Sequence, residues 1–120
     1  MKEQILDITS IQQQIDDFAA QRDWKQFHTP KNLAMALSVE AAELVEIFQW
    51  LTAEQSFLRD DSKSKQAAAE ELSDILTYLL RIADILEIDL ITSLRDKLVQ
   101  NGKKYPVDKA RGNAKKYSEL

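Results

Sequence analysis

Two acidic pairs stand out in this chain, Glu40-x-x-Glu43 and Glu71-x-x-Asp74. Side chains three apart on a helix share a face, separated by a rise of about 4.5 Å, so each pair can reach a single point in space. One such pair is ordinarily a solvated helix face. Two pairs inside successive, otherwise apolar stretches imply carboxylates held where helices meet, and burying like charges without compensation is costly. A cation resolves that conflict. All-oxygen ligation suits a hard ion, Mg²⁺ or alternatively Mn²⁺, which keeps waters and can bridge to phosphate oxygens. The competing reading is a buried polar network without a metal. Di-iron bundles use Glu-x-x-His pairs, whereas the single histidine, His28, falls outside both motifs, and the lack of cysteine removes thiolate zinc sites.

The acidic stripes continue along their helices as Ala36, Glu40, Glu43, Ile47, Trp50 and as Glu71, Asp74, Tyr78, Arg81. Each pair therefore shares a face with an aromatic ring, on which a base can stack while its phosphates lie at the metal, although rings at helical spacing are more often plain core. Trp24, Phe27 and His28 in the preceding connector read either as a hydrophobic staple with an exposed imidazole or as one wall of a base pocket. Lys97, Asn101 and Lys104 fall on one face of a later helix. That face suits phosphate oxygens and sugar hydroxyls, or is simply solvated.

The elements that must position these residues are helices. Ile5, Ile8, Ile11, Ile15 and Phe18 recur at helical intervals and predict a first helix over about 4–21. Thr29-Pro30, an N-cap followed by a first-turn proline, opens a second over 30–51. From Leu33 to Leu51 only Ser38, Glu40, Glu43, Glu46 and Gln49 interrupt its apolar run. A helix apolar nearly all round needs cover on several sides, which predicts that helix two lies at the interface of an obligate oligomer. The third, over 64–87, carries Ala68, Leu72, Ile75, Leu79, Ile82 and Leu86 at the spacing of a bundle seam. Asp89 is placed to cap a fourth over 89–104, with Leu90, Leu94 and Leu98 inward and a stop at Gly102 or Tyr105-Pro106. The expectation is one all-α domain over 1–120, a four-helix bundle-like subunit with a basic tail over 105–120.

Composition agrees and narrows the function. A chain of 120 residues has room for one compact domain, and 44% hydrophobic residues with two glycines and two prolines favour helices. A net charge of −4 argues against coating a nucleic-acid polymer. The opening MKEQILDITS lacks a signal peptide's apolar stretch, and no apolar run approaches the roughly 18 residues of a membrane span. Without cysteine nothing suggests an oxidising compartment, so the cytoplasm is expected. Half of the 16 Lys and Arg residues lie between Arg95 and Lys116, by default a solvated face and tail.

Several motifs together resemble a known family. Arg22-Asp-Trp-Lys-Gln-Phe-His-Thr-Pro-Lys-Asn32, Glu40-Ala-Ala-Glu-Leu-Val-Glu-Ile-Phe-Gln-Trp50 and Glu70-Glu-Leu-Ser-Asp-Ile-Leu-Thr-Tyr78 look like the MazG-like all-alpha nucleoside triphosphate pyrophosphohydrolases, in their dCTP pyrophosphatase-like subgroup. Asn101, Lys104-Tyr-Pro106 and Arg111-Gly-Asn-Ala-Lys-Lys-Tyr117 extend the likeness over nearly the whole chain. The resemblance implies hydrolysis of a nucleoside triphosphate between its α and β phosphates, with Mg²⁺ held by Glu40, Glu43, Glu71 and Asp74. It implies that Trp24, His28, Asn32, Trp50 and Tyr78 surround base and sugar, while Lys97, Asn101, Lys104 and Tyr105 face sugar and phosphates. A homotetramer built as a pair of dimers, with sites shaped by more than one subunit, is implied too, as is a basic tail able to close over the site.

Ile15 stands where some relatives carry a histidine near the base, so the resemblance implies a deoxynucleotide more firmly than any one base. Nothing in the chain suggests a protein nucleophile. Glu46 and Glu70 are candidate general bases and equally readable as structural. The alternatives are a relative acting on dUTP or phosphoribosyl-ATP, and a non-catalytic helical module that binds a partner through helix two. Nucleotide-pool cleansing and control of nucleotide levels are both compatible roles.

Overall fold

The computed structural model describes residues 7–120, and every regular element among them is helical, so the all-α class holds. The chain divides into two compact units, Met1–Glu87 and Ile88–Leu120. In the first, α1 (Ile8–Gln21), α2 (Pro30–Phe48) and α3 (Ser62–Ile85) are joined by connectors that each contain one 3-10 turn, Lys25–Phe27 and Gln55–Phe57. Helix α3 packs against both α2 and α1. The expected contribution of residues 4–6, Ile5 included, lies outside the described residues.

Side-chain caps fix the helix starts. Asp7 accepts from the Ser10 N–H, Thr29 from Asn32 and Asp61 from Ser64. The Asp61 cap explains why α3 begins at Ser62, two residues before the expected position. Its last turn ends at Ile85 rather than 87, because Glu87 takes a left-handed φ of 55°. Helix α2 stops at Phe48, short of the expected Leu51. Thr52 and Gln55 form a reciprocal capping box, with Thr52 N–H donating to the Gln55 side chain at 2.9 Å and Gln55 N–H to the Thr52 hydroxyl at 3.1 Å. That box starts the next turn and draws Trp50 and Leu51 out of the helix.

The buried core is small: Ala19 on α1, Leu33 on α2, Ala68, Leu80 and Ala83 on α3, and Leu58 in the connector. The expected α3 seam is only partly inward, since Leu72 and Leu86 are about half exposed while Leu80, Arg81 and Ala83 are buried. Helix α3 has neighbours on two sides, and a single-stripe seam does not describe a helix that buries two faces. Met35, Val39 and Val45 of α2 are more than half exposed.

The second unit contains α4 (Leu90–Lys104), the single-turn α5 (Val107–Ala110) and a final 3-10 turn, Tyr117–Glu119. Asp89 caps α4 by accepting from the Thr92 N–H and hydroxyl. Leu94 and Leu98, expected to face inward, are more than half exposed. The segment after Pro106 is anchored by Tyr117, whose ring meets Tyr105 edge-on at 6.2 Å and lies 4.9 Å from the Lys104 ammonium.

Candidate active site

Glu40 and Glu43, one turn apart on α2, face Glu71 on α3. Each offers an oxygen that lies within 4.8 Å of the others'. Oε2 of Glu40 and Oε2 of Glu71 are fully buried and have no hydrogen-bond partner. Such atoms ordinarily find a partner or force a proton onto the cluster. Glu40 and Glu43 are both pushed above the ordinary carboxylate range, Glu40 chiefly by the Glu71 carboxylate beside it and Glu43 chiefly by Glu40. Three carboxylates that converge as hard oxygen donors, two of them with an orphaned buried oxygen, fit a divalent cation, so this trio can bind a metal ion.

Asp74, one turn beyond Glu71, is not a member of the trio. It lines a cleft of about 530 Å³ between α1, the α1–α2 connector and α3. Its charge nevertheless reaches Glu40 and raises the Tyr78 phenol, for which burial is the larger cause. Asp74 thus connects the trio to the cleft, and Tyr78 stays a protonated donor.

The cleft is walled by Ile11, Ile15 and Phe18 of α1, by Trp24 and His28, and by Asp74, Tyr78 and Arg81 of α3. The end of α1 explains how Trp24 enters it. Asp23 adopts a left-handed φ of 54°, the Asp23 N–H bonds to Ala20 O and the Trp24 N–H to Ala19 O, so the helix closes in a Schellman turn that folds the indole back. Trp24 then meets Phe18 edge-on at 5.7 Å and His28 at 6.5 Å. Of the three connector residues, Trp24 and His28 line the cleft and Phe27 does not.

The remaining expected residues are placed as follows. Asn32 does not line the cleft; its side chain donates to Phe27 O at 3.0 Å and ties the connector to α2. Trp50 is 88% exposed beyond the end of α2 and does not line the cleft. Lys97, Asn101, Lys104 and Tyr105 belong to the second unit, the first three on one face of α4. Glu46 lines a shallow groove with Glu43 and Glu71, whereas Glu70 is exposed and lines none of these hollows.

Sequence reasoning named His28 and Arg81 separately but did not join them, and it missed Asp16. Arg81, 4% exposed, donates through Nη1 to Asp16 of α1 at 2.7 Å and through Nε to Nδ1 of His28 at 3.2 Å. Asp16 also pairs with Lys25 at 3.1 Å. The Arg81 and Lys25 contacts hold Asp16 below the ordinary range, while burial, aided by Arg81, lowers the imidazole of His28. The available signal was Arg81 itself, a cation on the stripe that carries Glu71, Asp74 and Tyr78.

The structure defines an all-helical class of protein with a carboxylate trio able to hold a cation on α2 and α3 and, along α3, an aromatic-walled cleft. Within that class, the chain belongs to the MazG-like family, whose profile matches residues 35–120. It is 45% identical over 105 residues to dCTP pyrophosphatase 1 of Rattus norvegicus and 44% identical over 105 residues to dCTP pyrophosphatase 1 of Homo sapiens. These matches cover 87% of the chain but only 62% of each of those relatives, so the chain spans less than two thirds of their length. A crystal structure of a pyrophosphatase from Archaeoglobus fulgidus superposes with a TM-score of 0.78 at 36% identity, covering 88% of this chain and 98% of that one.

Proposed function

We propose that this chain is a Mg²⁺-dependent nucleoside triphosphate pyrophosphohydrolase that cleaves deoxynucleoside triphosphates between the α and β phosphates, releasing a deoxynucleoside monophosphate and pyrophosphate, with dCTP preferred. The observation that carries the reading is the trio Glu40, Glu43 and Glu71, with two orphaned buried oxygens, beside a cleft that Asp74 joins to it. The names of the relatives, dCTP pyrophosphatase 1 and a pyrophosphatase, support the bond and the base.

In this reading Glu40, Glu43, Glu71 and Asp74 hold Mg²⁺, with Mn²⁺ as a substitute. A bound Mg²⁺ supplies charge neutralisation at the triphosphate and lowers the pKa of an attacking water. Trp24 and His28 wall the base, Tyr78 donates from the same face, and the apolar side chains of α1 exclude water from that end. Lys97, Asn101, Lys104 and Tyr105 serve sugar and phosphates, and Asn32 acts through the connector it anchors. Trp50, largely exposed, is available to the site of a neighbouring subunit.

The half-exposed apolar side chains of α2 support a homotetramer, a dimer of dimers with α2 at an interface. The family match runs across both compact units, which supports treating 1–120 as one functional domain. No helix among the described residues is long and apolar enough to cross a membrane. A cytoplasmic location is proposed from that and from the lack of cysteine.

The test is pyrophosphate and monophosphate release from the four deoxynucleoside triphosphates and dUTP, with and without Mg²⁺, by wild type and Glu71→Gln. Metal-dependent release from dCTP that the substitution abolishes is expected. A folded protein that releases nothing from any of the five refutes the reading.

A further inference from the structure

The polar end of the cleft has a directional chemistry. The guanidinium of Arg81 carries only donors, so the nitrogen of His28 that meets Arg81 Nε must accept. That nitrogen is Nδ1, which leaves the ring proton of a neutral imidazole on Nε2. Asp16 holds the guanidinium from the other side through Nη1. Arg81 Nη2 and His28 Nε2 have no protein partner among the described residues, and both residues line the cleft. Two donors therefore remain for whatever occupies it.

We propose that Arg81 is a positioning and specificity-determining residue: clamped by Asp16, it locks His28 in the Nε2–H tautomer, so that the cleft presents a pair of donors that select a cytosine ring. The inference rests on the proposed triphosphate chemistry for its substrate but not for its geometry. On the Watson–Crick edge, cytosine offers adjacent acceptors at O2 and N3. Thymine and uracil place an N3–H between their carbonyls, and guanine presents N1–H, so each sets a donor against a donor. A donor left unpaired in a closed site carries its full desolvation cost, which turns a missing acceptor into discrimination. Ile15, an apolar residue on the facing helix, supplies no competing acceptor.

The chain has a single histidine, so the two imidazole ¹⁵N resonances of His28 are unambiguous in protein produced without a histidine tag. Wild type is expected to show the Nε2–H tautomer alone. Arg81→Lys keeps a cation for Asp16 but cannot serve Asp16 and His28 together, because lysine lacks the planar fork; its imidazole is expected to populate both tautomers. Binding is then read with the α,β-imido analogues of dCTP, dTTP and dGTP, which need not be cleaved. The dCTP analogue is expected to bind wild type about 10-fold or more tightly than the other two, the scale of a good paired base contact, and to shift Nε2. In Arg81→Lys that ratio is expected to fall to within about 2-fold.

An Nδ1–H tautomer in wild type, equal binding of the three analogues, no binding of any, or a ratio that survives Arg81→Lys would each overturn the proposal. The first three are read on wild type alone, so they hold even if the variant folds poorly. Discriminating binding by a protein that releases no pyrophosphate from dCTP would refute the hydrolase reading and leave the base-edge assignment standing.

Discussion

Helix α3 carries two polar clusters about three turns apart, and they are built on opposite principles. At Glu71 three carboxylates converge, two of their oxygens are buried without partners, and Glu40 and Glu43 resist ionisation. At Arg81 a buried cation meets Asp16 at 2.7 Å and an imidazole nitrogen at 3.2 Å, and Asp16 ionises more readily than usual. The charge of Arg81 is paired within the chain by Asp16, while its Nη2 is left without a protein partner among the described residues. No cation among the described residues pairs with the Glu71 cluster. Like charges left unpaired leave room for a cation, whereas a paired charge holds its neighbours in place.

The largest expected effect separates the two clusters by activity. Glu71→Gln should lower the rate of dCTP cleavage by more than about 100-fold, beyond the 10–100-fold typical of residues that only orient a metal ligand, while the metal-free protein melts no earlier than wild type. An earlier melt would show that the trio is part of the scaffold after all.

Stability should respond in the opposite order. Arg81→Leu removes the buried partner of Asp16 and leaves it only Lys25, and breaking a buried pair costs about 3–5 kcal/mol. Because the Asp16 side chain is 30% exposed, solvent screening reduces the expected loss to about 1–3 kcal/mol in urea unfolding. A loss no greater than that of Glu71→Gln would erase the contrast.

Acidity sharpens it further, since the clusters have opposite signs. Glu40 and Glu43 hold protons more tightly folded than unfolded, so in metal-free protein their contribution is full below the ordinary carboxylate range and fades as pH rises through their raised values. Asp16 is lowered, so its contribution is full above that range and is lost as pH falls through its depressed value. Urea midpoints measured across acid and neutral pH should lose their acid limb in Asp16→Asn and their neutral-side decline in Glu40→Gln. Mg²⁺ competes with protons for Glu40 and Glu43, which hold them more tightly than ordinary carboxylates, so calorimetric affinity should rise with pH. A pH-independent affinity would contradict the raised values.

The smallest effect is a control remote from both chemistries. Asp61→Ala removes the N-cap of α3 and should cost about 1 kcal/mol, lowering the unfolding midpoint without altering metal affinity or base preference.

Much of this was legible in one dimension. Glu40 and Glu43, like Glu71 and Asp74, had to share helix faces because three residues nearly complete a turn, and Thr29 and Asp89 had to start helices because their side chains satisfy first-turn N–H groups. Spacing could not say that Asp74 would turn to the cleft while Glu71 joins the α2 pair, nor that a capping box would end α2 before Trp50. The exposed halves of Leu72 and Leu86 were equally hidden, because periodicity marks an apolar face without saying which neighbour covers it.

Asp16 and Arg81 are 65 residues apart, and neither belongs to a motif. The sequence by itself determined the helices, their caps and the acidic pairs, all of which depend on bonds and angles within a few residues. Only the tertiary structure decided which carboxylates are left without partners and which cation is satisfied, because those outcomes depend on where one helix crosses another.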